Sequence, residues 1–262
     1  MLWPKKWRRN RIRSRPFPVP WVDFLEKNVP YYRLLPDEDK KELQGHILVF
    51  LHEKYFEGCG GLELTDEIRV TVAAQACILL LHREAGYYPR LDTILVYPGA
   101  YVARGREELW PGHYVEVDQV RLGESWKAGL LVLSWDHVRR SASSPLDTHN
   151  IVLHEFAHQL DLENGMSDGA PLLSDRSMVR AWVRVLGEDY RRLRKDAWRG
   201  RETLLDQYGA SDPAEFFAVA TECFFQKPLE MRTRHPELYE VLRSFYRQDP
   251  AHLAEKNSLS VQ

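Results

Sequence analysis

One stretch of the chain, IVLHEFAHQLDLENG at residues 151–165, places two histidines four residues apart within an apolar segment. Because residues i and i+4 of an α-helix lie on one face, His154 and His158 can direct both imidazoles at a single point. The apolar neighbours predict a buried helix, in which two unpartnered imidazoles and the Glu155 carboxylate would be costly. A bound metal ion removes that cost, so the segment favours folds that bury a polar site.

Residues 154–158 of this stretch, HEFAH, match the pattern HExxH. In that pattern the two histidines bind zinc, and the glutamate takes a proton from a water that the ion has made acidic. The alternative is an amphipathic core helix whose histidines are satisfied by ordinary hydrogen bonds. Catalytic zinc usually has three protein ligands and one open position. The positions three and six after His158 are Asp161 and Asn164, not the glycine and histidine of the metzincin pattern, so the third ligand must come from elsewhere.

The best candidate for the third ligand lies in LDQYGASDPAEFFAVATECFF, residues 205–225. Asp212 and Pro213 are typical of the N-cap and first residue of a helix, and Glu215 follows at its third position. Glu215 can therefore be a capping residue of its own helix. The helix is otherwise so apolar that Glu215 and Glu222, two turns apart on one face, also need partners, which a zinc ion and its histidines would supply.

Composition favours a soluble enzyme. The 262 residues are 44% hydrophobic and 28% charged, with a net charge of −2, which fits one large domain or two small ones. Cys59, Cys77 and Cys223 are widely spaced and form no CxxC pair, so neither a disulfide framework nor a cysteine zinc site is expected. Unpaired cysteines are typical of a reducing compartment, so we expect a cytoplasmic location. No apolar stretch approaches the roughly 20 residues of a membrane span.

The N-terminal residues 1–15 are strongly basic, with five arginines and two lysines. We expect a disordered, solvated tail outside a single domain that spans residues 16–262. No apolar segment follows the basic residues, so secretion is not expected. Contact with nucleic acid or anionic lipid is the alternative role of such a tail, but no recognition motif accompanies it, and direct nucleic-acid binding is not expected.

The order of patterns along the chain is helices, then strands, then helices, which indicates the α+β class. We expect mainly helix in residues 16–90, a small mixed sheet in 91–140 and the helices that carry the site in 147–250. The predicted elements are helices at 21–28, 35–56 and 65–86 and strands at 92–103, 113–123 and 129–138. The third helix has Thr65 as its N-cap and Gly86 as its stop.

Three segments together resemble a known family. VLHEFAHQLD (152–161), YGASDPAEFFAVATECFF (208–225) and SFYRQDP (244–250) are similar to the Mlc titration factor A family of bacterial zinc peptidases, whose catalytic core resembles that of anthrax lethal factor. The similarity runs from about Trp21 to Pro250. It implies a zincin-like metallopeptidase core with an N-terminal helical region.

The resemblance also implies a gluzincin-like site, with His154, His158 and Glu215 as zinc ligands and Glu155 as the general base. Lethal factor has a tyrosine seven residues before its glutamate ligand, directed at the oxyanion, and Tyr208 stands at that spacing here.

One position departs from the lethal factor pattern. Lethal factor has a second glutamate four residues after its ligand, where this chain has Val219. Either Glu222 or Asp161 is then expected to orient a histidine instead.

The function that the resemblance implies is a zinc-dependent, aminopeptidase-like hydrolysis of peptides or proteins. The alternative is a regulatory protein that sequesters a Mlc-like transcriptional repressor with little or no catalysis, and the two roles can coexist. In zincins an edge strand before the HExxH helix pairs with an extended substrate. Residues 129–138 are expected to fill that position, with Trp135 and His137 lining the cleft, unless the protein's own loops cover the strand.

Overall fold

The computed structural model describes residues 4–84, 86–99, 101–110, 113–121, 123–126, 129–143 and 149–259. Parts of the predictions for residues 1–15, 91–140 and 147–262 lie outside these residues.

The helices within them are α1 (Lys5–Arg13), α2 (Val19–Asn28), α3 (Pro30–Leu34), α4 (Asp37–Glu53), α5 (Asp66–Ile78), α6 (Trp135–Ser143), α7 (Ile151–Asp161), α8 (Arg176–Trp198), α9 (Pro213–Gln226), α10 (Pro228–Arg234), α11 (Pro236–Tyr246) and α12 (Pro250–Leu259). The strands are β1 (Tyr55–Gly58), β2 (Thr93–Tyr97), β3 (Tyr101–Trp110), β4 (His113–Arg121), β5 (Gly123–Trp126) and β6 (Leu130–Ser134). Short 3₁₀ helices span Leu162–Asn164 and Gln207–Ala210.

Four strands form a mixed sheet in the order β1-β2-β6-β5. β1, β2 and β6 are parallel, with Tyr55 opposite Thr93 and Thr93 opposite Leu130. β5 is antiparallel to β6 and lies beside it with Gly123 opposite Leu133. β3 and β4 form a separate two-stranded antiparallel ribbon. A small sheet surrounded by many helices confirms the α+β prediction.

The predicted edge strand is wrong in two respects. β6 lies between β2 and β5, so hydrogen bonding to neighbouring strands occupies both of its sides. The chain leaves the strand at Ser134, and Trp135 and His137 belong to α6. Apolar alternation in residues 129–138 predicts a strand but gives no information about which strands pair on either side.

The predicted helix at 65–86 begins as expected but ends early. Thr65 accepts the N–H of Ile68 and caps α5, while the helix stops at Ile78 instead of Gly86. The Ile78 carbonyl accepts a hydrogen bond from Gln248 Nε2 at 2.8 Å, and His82 has a φ of 60°. The helix end is therefore satisfied by a side chain 170 residues away, which a local pattern cannot reveal.

Most of the basic N-terminal segment forms α1, which packs on the protein, so the expectation of a disordered tail at residues 1–15 is wrong for residues 4–15, the part that the structure describes. Ile12 on α1 is 3% exposed. Arg9 makes two hydrogen bonds to Glu53 at the end of α4, at 2.9 and 2.7 Å, and another to the Gly86 carbonyl at 3.0 Å. A count of charges predicts solvation because it cannot show that a carboxylate from α4 lies opposite.

Aromatic side chains hold the rear of α7 in the core. Phe156, on the side of α7 opposite its histidines, has its ring centroid 5.7 Å from that of Phe50 on α4 and 4.7 Å from that of Tyr88. Both pairs meet edge to face, the favoured arrangement of aromatic rings. α7 also packs against α5, α6, α9, β5 and β6, so the position of its polar face is fixed from several sides. Within the described ranges, no helix has the length and hydropathy needed to cross a bilayer.

We expect Ile12→Ala to lower the free energy of unfolding by about 2–5 kcal/mol, since it removes a buried side chain that joins α1 to the core. The neighbouring Arg11 is exposed, and Arg11→Ala should change the free energy of unfolding by less than about 0.5 kcal/mol. Urea unfolding of both variants measures the difference. Equal stability of the two variants would show that α1 does not contribute to the fold.

Candidate metal centre

α7 begins at a well-defined cap. The side chain of Asn150 accepts the N–H groups of Val152 and Leu153, both at 3.1 Å. These are donors that have no partner within the helix. His154 and His158 then fall one turn apart on the side of α7 that faces α9, each with a side chain 12% exposed. Asn150 is not among the residues predicted from the sequence, although an asparagine before an apolar run is a typical N-cap signal.

α9 brings Glu215 to these histidines. Asp212 caps the helix by accepting the N–H groups of Ala214 at 2.8 Å and Glu215 at 3.0 Å. The Glu215 carboxylate points instead at the imidazoles: its Oε2 lies 3.0 Å from Nε2 of His154 and 3.4 Å from Nε2 of His158. The two Nε2 atoms are 3.2 Å apart. Three potential ligand atoms thus form a nearly equilateral triangle.

The dimensions of this triangle fit a zinc ion. Zinc bonds to imidazole nitrogen and carboxylate oxygen are about 2.0–2.2 Å long, which puts the ligands of a tetrahedral ion about 3.3–3.6 Å apart. The sides of the triangle, 3.0, 3.2 and 3.4 Å, lie within about 0.3 Å of that range. The charges fit as well. Burial opposes a charged imidazole, yet Glu215 and Glu222 raise the pKa of His154 to about 10. The same negative field attracts a divalent cation.

Glu155 lies beside the ligand face and is 5% exposed. Burial raises the pKa of its carboxyl to about 7, and the neighbouring histidines only partly oppose this effect. A carboxyl group with a pKa near neutrality can both accept and return a proton, which is the property required of a general base.

Of the two residues expected to orient a histidine, Glu222 is the one in contact. Its Oε1 lies 2.6 Å from Nδ1 of His154. Asp161 is completely buried but accepts the N–H of Gly169 at 2.8 Å. Asp161 therefore stabilises the loop that follows α7.

Tyr208 lies at the border of the site. Its hydroxyl donates to Oε1 of Glu215 over 3.5 Å, while 60% of the residue is exposed. Asp206 positions its turn, because one carboxylate oxygen accepts the N–H of Tyr208 at 2.7 Å and the other lies 3.0 Å from Nε2 of His149. The contact between His149 and Asp206, which no local sequence pattern predicts, links this turn to the residue before the α7 cap.

A second group of potential ligands, Asp39, Glu42 and His82, also occurs among the described residues. Here the two carboxylates approach opposite nitrogens of one imidazole: Glu42 lies 3.2 Å from Nδ1 and Asp39 lies 3.4 Å from Nε2. The guanidinium of Arg13 is 3.7 Å from Glu42 and balances its charge. We interpret this group as an ion-pair network between α1, α4 and the segment after α5.

A partly buried set of two histidines and one glutamate, with the Glu155 carboxylate beside the histidines on α7, defines a candidate metallohydrolase centre. The chain belongs to the glucose-regulated metallo-peptidase M90 family, whose sequence profile matches residues 4–247.

Several relatives cover most of the chain. An uncharacterized protein of Synechocystis sp. is 42% identical over 247 residues, which are 93% of this chain and 89% of the relative. Mlc titration factor A of Pectobacterium atrosepticum is 32% identical over 229 residues, 85% of this chain and 84% of the relative. The same-named protein of Serratia proteamaculans is 32% identical over 257 residues, 95% and 93% of the two chains. These matches confirm the resemblance to the Mlc titration factor A family.

Gly169 is the point at which the loop after α7 meets the start of α9. It has a φ of 76°, and a Cβ there would lie 2.2 Å from the carbonyl oxygen of Pro213, the first residue of α9. Its own carbonyl accepts a hydrogen bond from Trp182 Nε1 at 2.8 Å. A side chain at this position would push α9, and Glu215 with it, away from α7.

We therefore expect Gly169→Ala to weaken zinc binding and to destabilise the protein by about 1–3 kcal/mol more than Gly61→Ala. Gly61 is the matched control, because its φ of 81° imposes the same backbone strain while a Cβ there would meet no atom within 4 Å. Thermal unfolding and competition with a zinc chelator measure the two effects. Indistinguishable variants would show that the close approach to Pro213 does not position the ligands.

Proposed function

We propose that this protein is a zinc-dependent peptidase with a zincin-like core and aminopeptidase-like specificity. The observation that supports this most directly is the triangle of Nε2 of His154, Nε2 of His158 and Oε2 of Glu215, with sides of 3.0 to 3.4 Å. Membership of a metallo-peptidase family agrees with it. The preference for chain ends follows from the family resemblance alone, so a panel of amino-acid amides and longer peptides is needed to test it.

In this proposal His154, His158 and Glu215 hold the zinc ion. When bound, zinc acts as a Lewis acid and brings the pKa of a water molecule close to neutrality. Glu155 accepts a proton from the attacking water and transfers it to the leaving amine nitrogen of the substrate. Burial raises the pKa of the Glu155 carboxyl, which makes its carboxylate a stronger proton acceptor for the first of these transfers.

Tyr208 is proposed to stabilise the oxyanion that forms when the peptide carbonyl is attacked. Its hydroxyl lies 3.5 Å from Oε1 of Glu215, and its ring centroid lies 6.3 Å from that of His154. A donor placed where negative charge develops lowers the barrier more than it strengthens substrate binding. The partners of the proposed reaction are peptides or proteins in the cytoplasm.

A second function is suggested by the names of the relatives, several of which are Mlc titration factor A. In that role the protein would bind a Mlc-like repressor and keep it from its sites on DNA. Binding of a protein partner does not require proton transfer, so it need not depend on Glu155. The two functions can therefore be separated in one variant.

Glu155→Gln should lower turnover of a chromogenic amino-acid or peptide amide by roughly 100- to 10,000-fold, because an amide cannot accept the proton. Zinc content, measured by atomic absorption, should stay at one ion per chain. Glu202→Gln, an exposed glutamate, is the control that should leave turnover unchanged. Full activity of Glu155→Gln would exclude the proposed base.

Binding of purified Mlc repressor by Glu155→Gln would show that the regulatory role is independent of catalysis. A zinc-loaded wild type without turnover would favour regulation alone.

Tyr208→Phe should reduce kcat by roughly 100- to 1000-fold and change KM little, because it removes one donor to the developing oxyanion. The control is Tyr55→Phe, since Tyr55 is 65% exposed, close to the 60% of Tyr208, and lies on β1. Steady-state kinetics with the same amide substrate measure the effect. A rise in KM of the same size, with no change in kcat, would assign Tyr208 to substrate binding instead.

A further inference from the structure

Glu222 is a buried carboxylate that the proposed mechanism does not use. It lies on α9 seven residues after Glu215, close to the same face of the helix, and is 4% exposed. A carboxylate in such a place needs compensating hydrogen bonds or charges, because water cannot solvate it.

Both oxygens of Glu222 contact α7. Oε1 lies 2.6 Å from Nδ1 of His154, and Oε2 accepts the backbone N–H of Asn150 at 2.6 Å. Asn150 is the N-cap of α7, one turn before His154. A single carboxylate therefore holds the first turn of α7 by its backbone and by a ligand side chain.

We infer that Glu222 is a positioning residue for His154. A carboxylate accepts hydrogen bonds, so the Nδ1 proton of His154 is directed at Glu222, and Nε2 is turned towards Glu215 and His158. Imidazoles that bind metals commonly have a carboxylate on the other nitrogen, which fixes the ring and increases the basicity of the ligand atom. This inference rests on the proposed function, because it assumes that Nε2 of His154 binds a metal ion.

The surroundings assign this role to Glu222 over its neighbours. Val219, one turn after Glu215, is apolar and packs against Gly209. Asp161 is engaged with the N–H of Gly169. Among the described residues, Glu222 is thus the carboxylate that contacts a ligand histidine on its Nδ1 side.

Glu222→Gln tests the inference with little change in shape. The amide has one acceptor oxygen where the carboxylate has two, so it cannot accept from both His154 and Asn150. Zinc affinity, measured by chelator competition, should fall about 10- to 100-fold. In ¹⁵N-histidine-labelled, zinc-loaded full-length protein, the Nδ1–H resonance of His154 should lie far downfield in the wild type and move upfield in the variant. The Asn150 amide should exchange faster with solvent.

Glu163→Gln is the matched control, because Glu163 is also a carboxylate with a buried oxygen and a pKa raised by burial. It should leave zinc affinity and the His154 resonance unchanged. Glu222→Asp keeps the charge but is one methylene shorter, and it should recover part of the zinc affinity that Glu222→Gln loses. A role confined to stability would lower the unfolding temperature of Glu222→Gln without changing the affinity or the resonance, and that result would overturn the inference.

The outcomes separate this inference from the proposed function. If the wild type binds zinc and Glu222→Gln binds it equally well, the inference fails while the proposed function stands. If the wild type binds no zinc, the proposed function fails, and the Nδ1–H resonance of His154 in the zinc-free protein still decides whether Glu222 holds the ring. If Glu222→Gln does not fold, the Nδ1–H resonance of His154 in the wild type and the zinc affinity of Glu222→Asp decide whether Glu222 positions His154.

Discussion

The packing of α7 against α9 brings together a group of charged side chains that neither helix could bury by itself. His154 lies between Glu215 and Glu222, which contact its two ring nitrogens at 3.0 and 2.6 Å. Removing one partner from a buried pair usually costs more than the pair contributes, because the remaining charge is left without compensation. The same contact therefore supports the fold and determines the chemistry of the site.

The ends of the two helices complete this arrangement. Asn150 caps α7 and Asp212 caps α9, so each helix starts at a defined residue close to the site. Gly169 then connects the far end of α7 to the first residue of α9 by a close backbone approach. Sites built on helices hold their side chains more accurately than sites on loops. That accuracy matters for a metal whose ligands must lie within a few tenths of an ångström of their places.

The family match extends beyond the helices of the site. It begins at residue 4 and so includes α1, in agreement with the burial of Ile12 and the contacts between Arg9 and Glu53. The basic N-terminal segment thus belongs to the folded protein. Its arginines are not all free for an external partner, which weakens the argument for nucleic-acid binding from charge alone.

The sequence by itself determined the features that depend on local periodicity: the shared face of His154 and His158 on α7, the cap of α9 at Asp212, the cap of α5 at Thr65 and the α+β class. It left open whether Glu215 caps its helix or faces the histidines, and whether Glu222 or Asp161 contacts a histidine. It predicted wrongly that residues 129–138 form an edge strand. The tertiary structure decided these points, because each depends on a partner far away in the chain, as in the 61 residues between His154 and Glu215. Helix periodicity tells which side chains share a face, whereas only the packed fold tells what lies opposite that face.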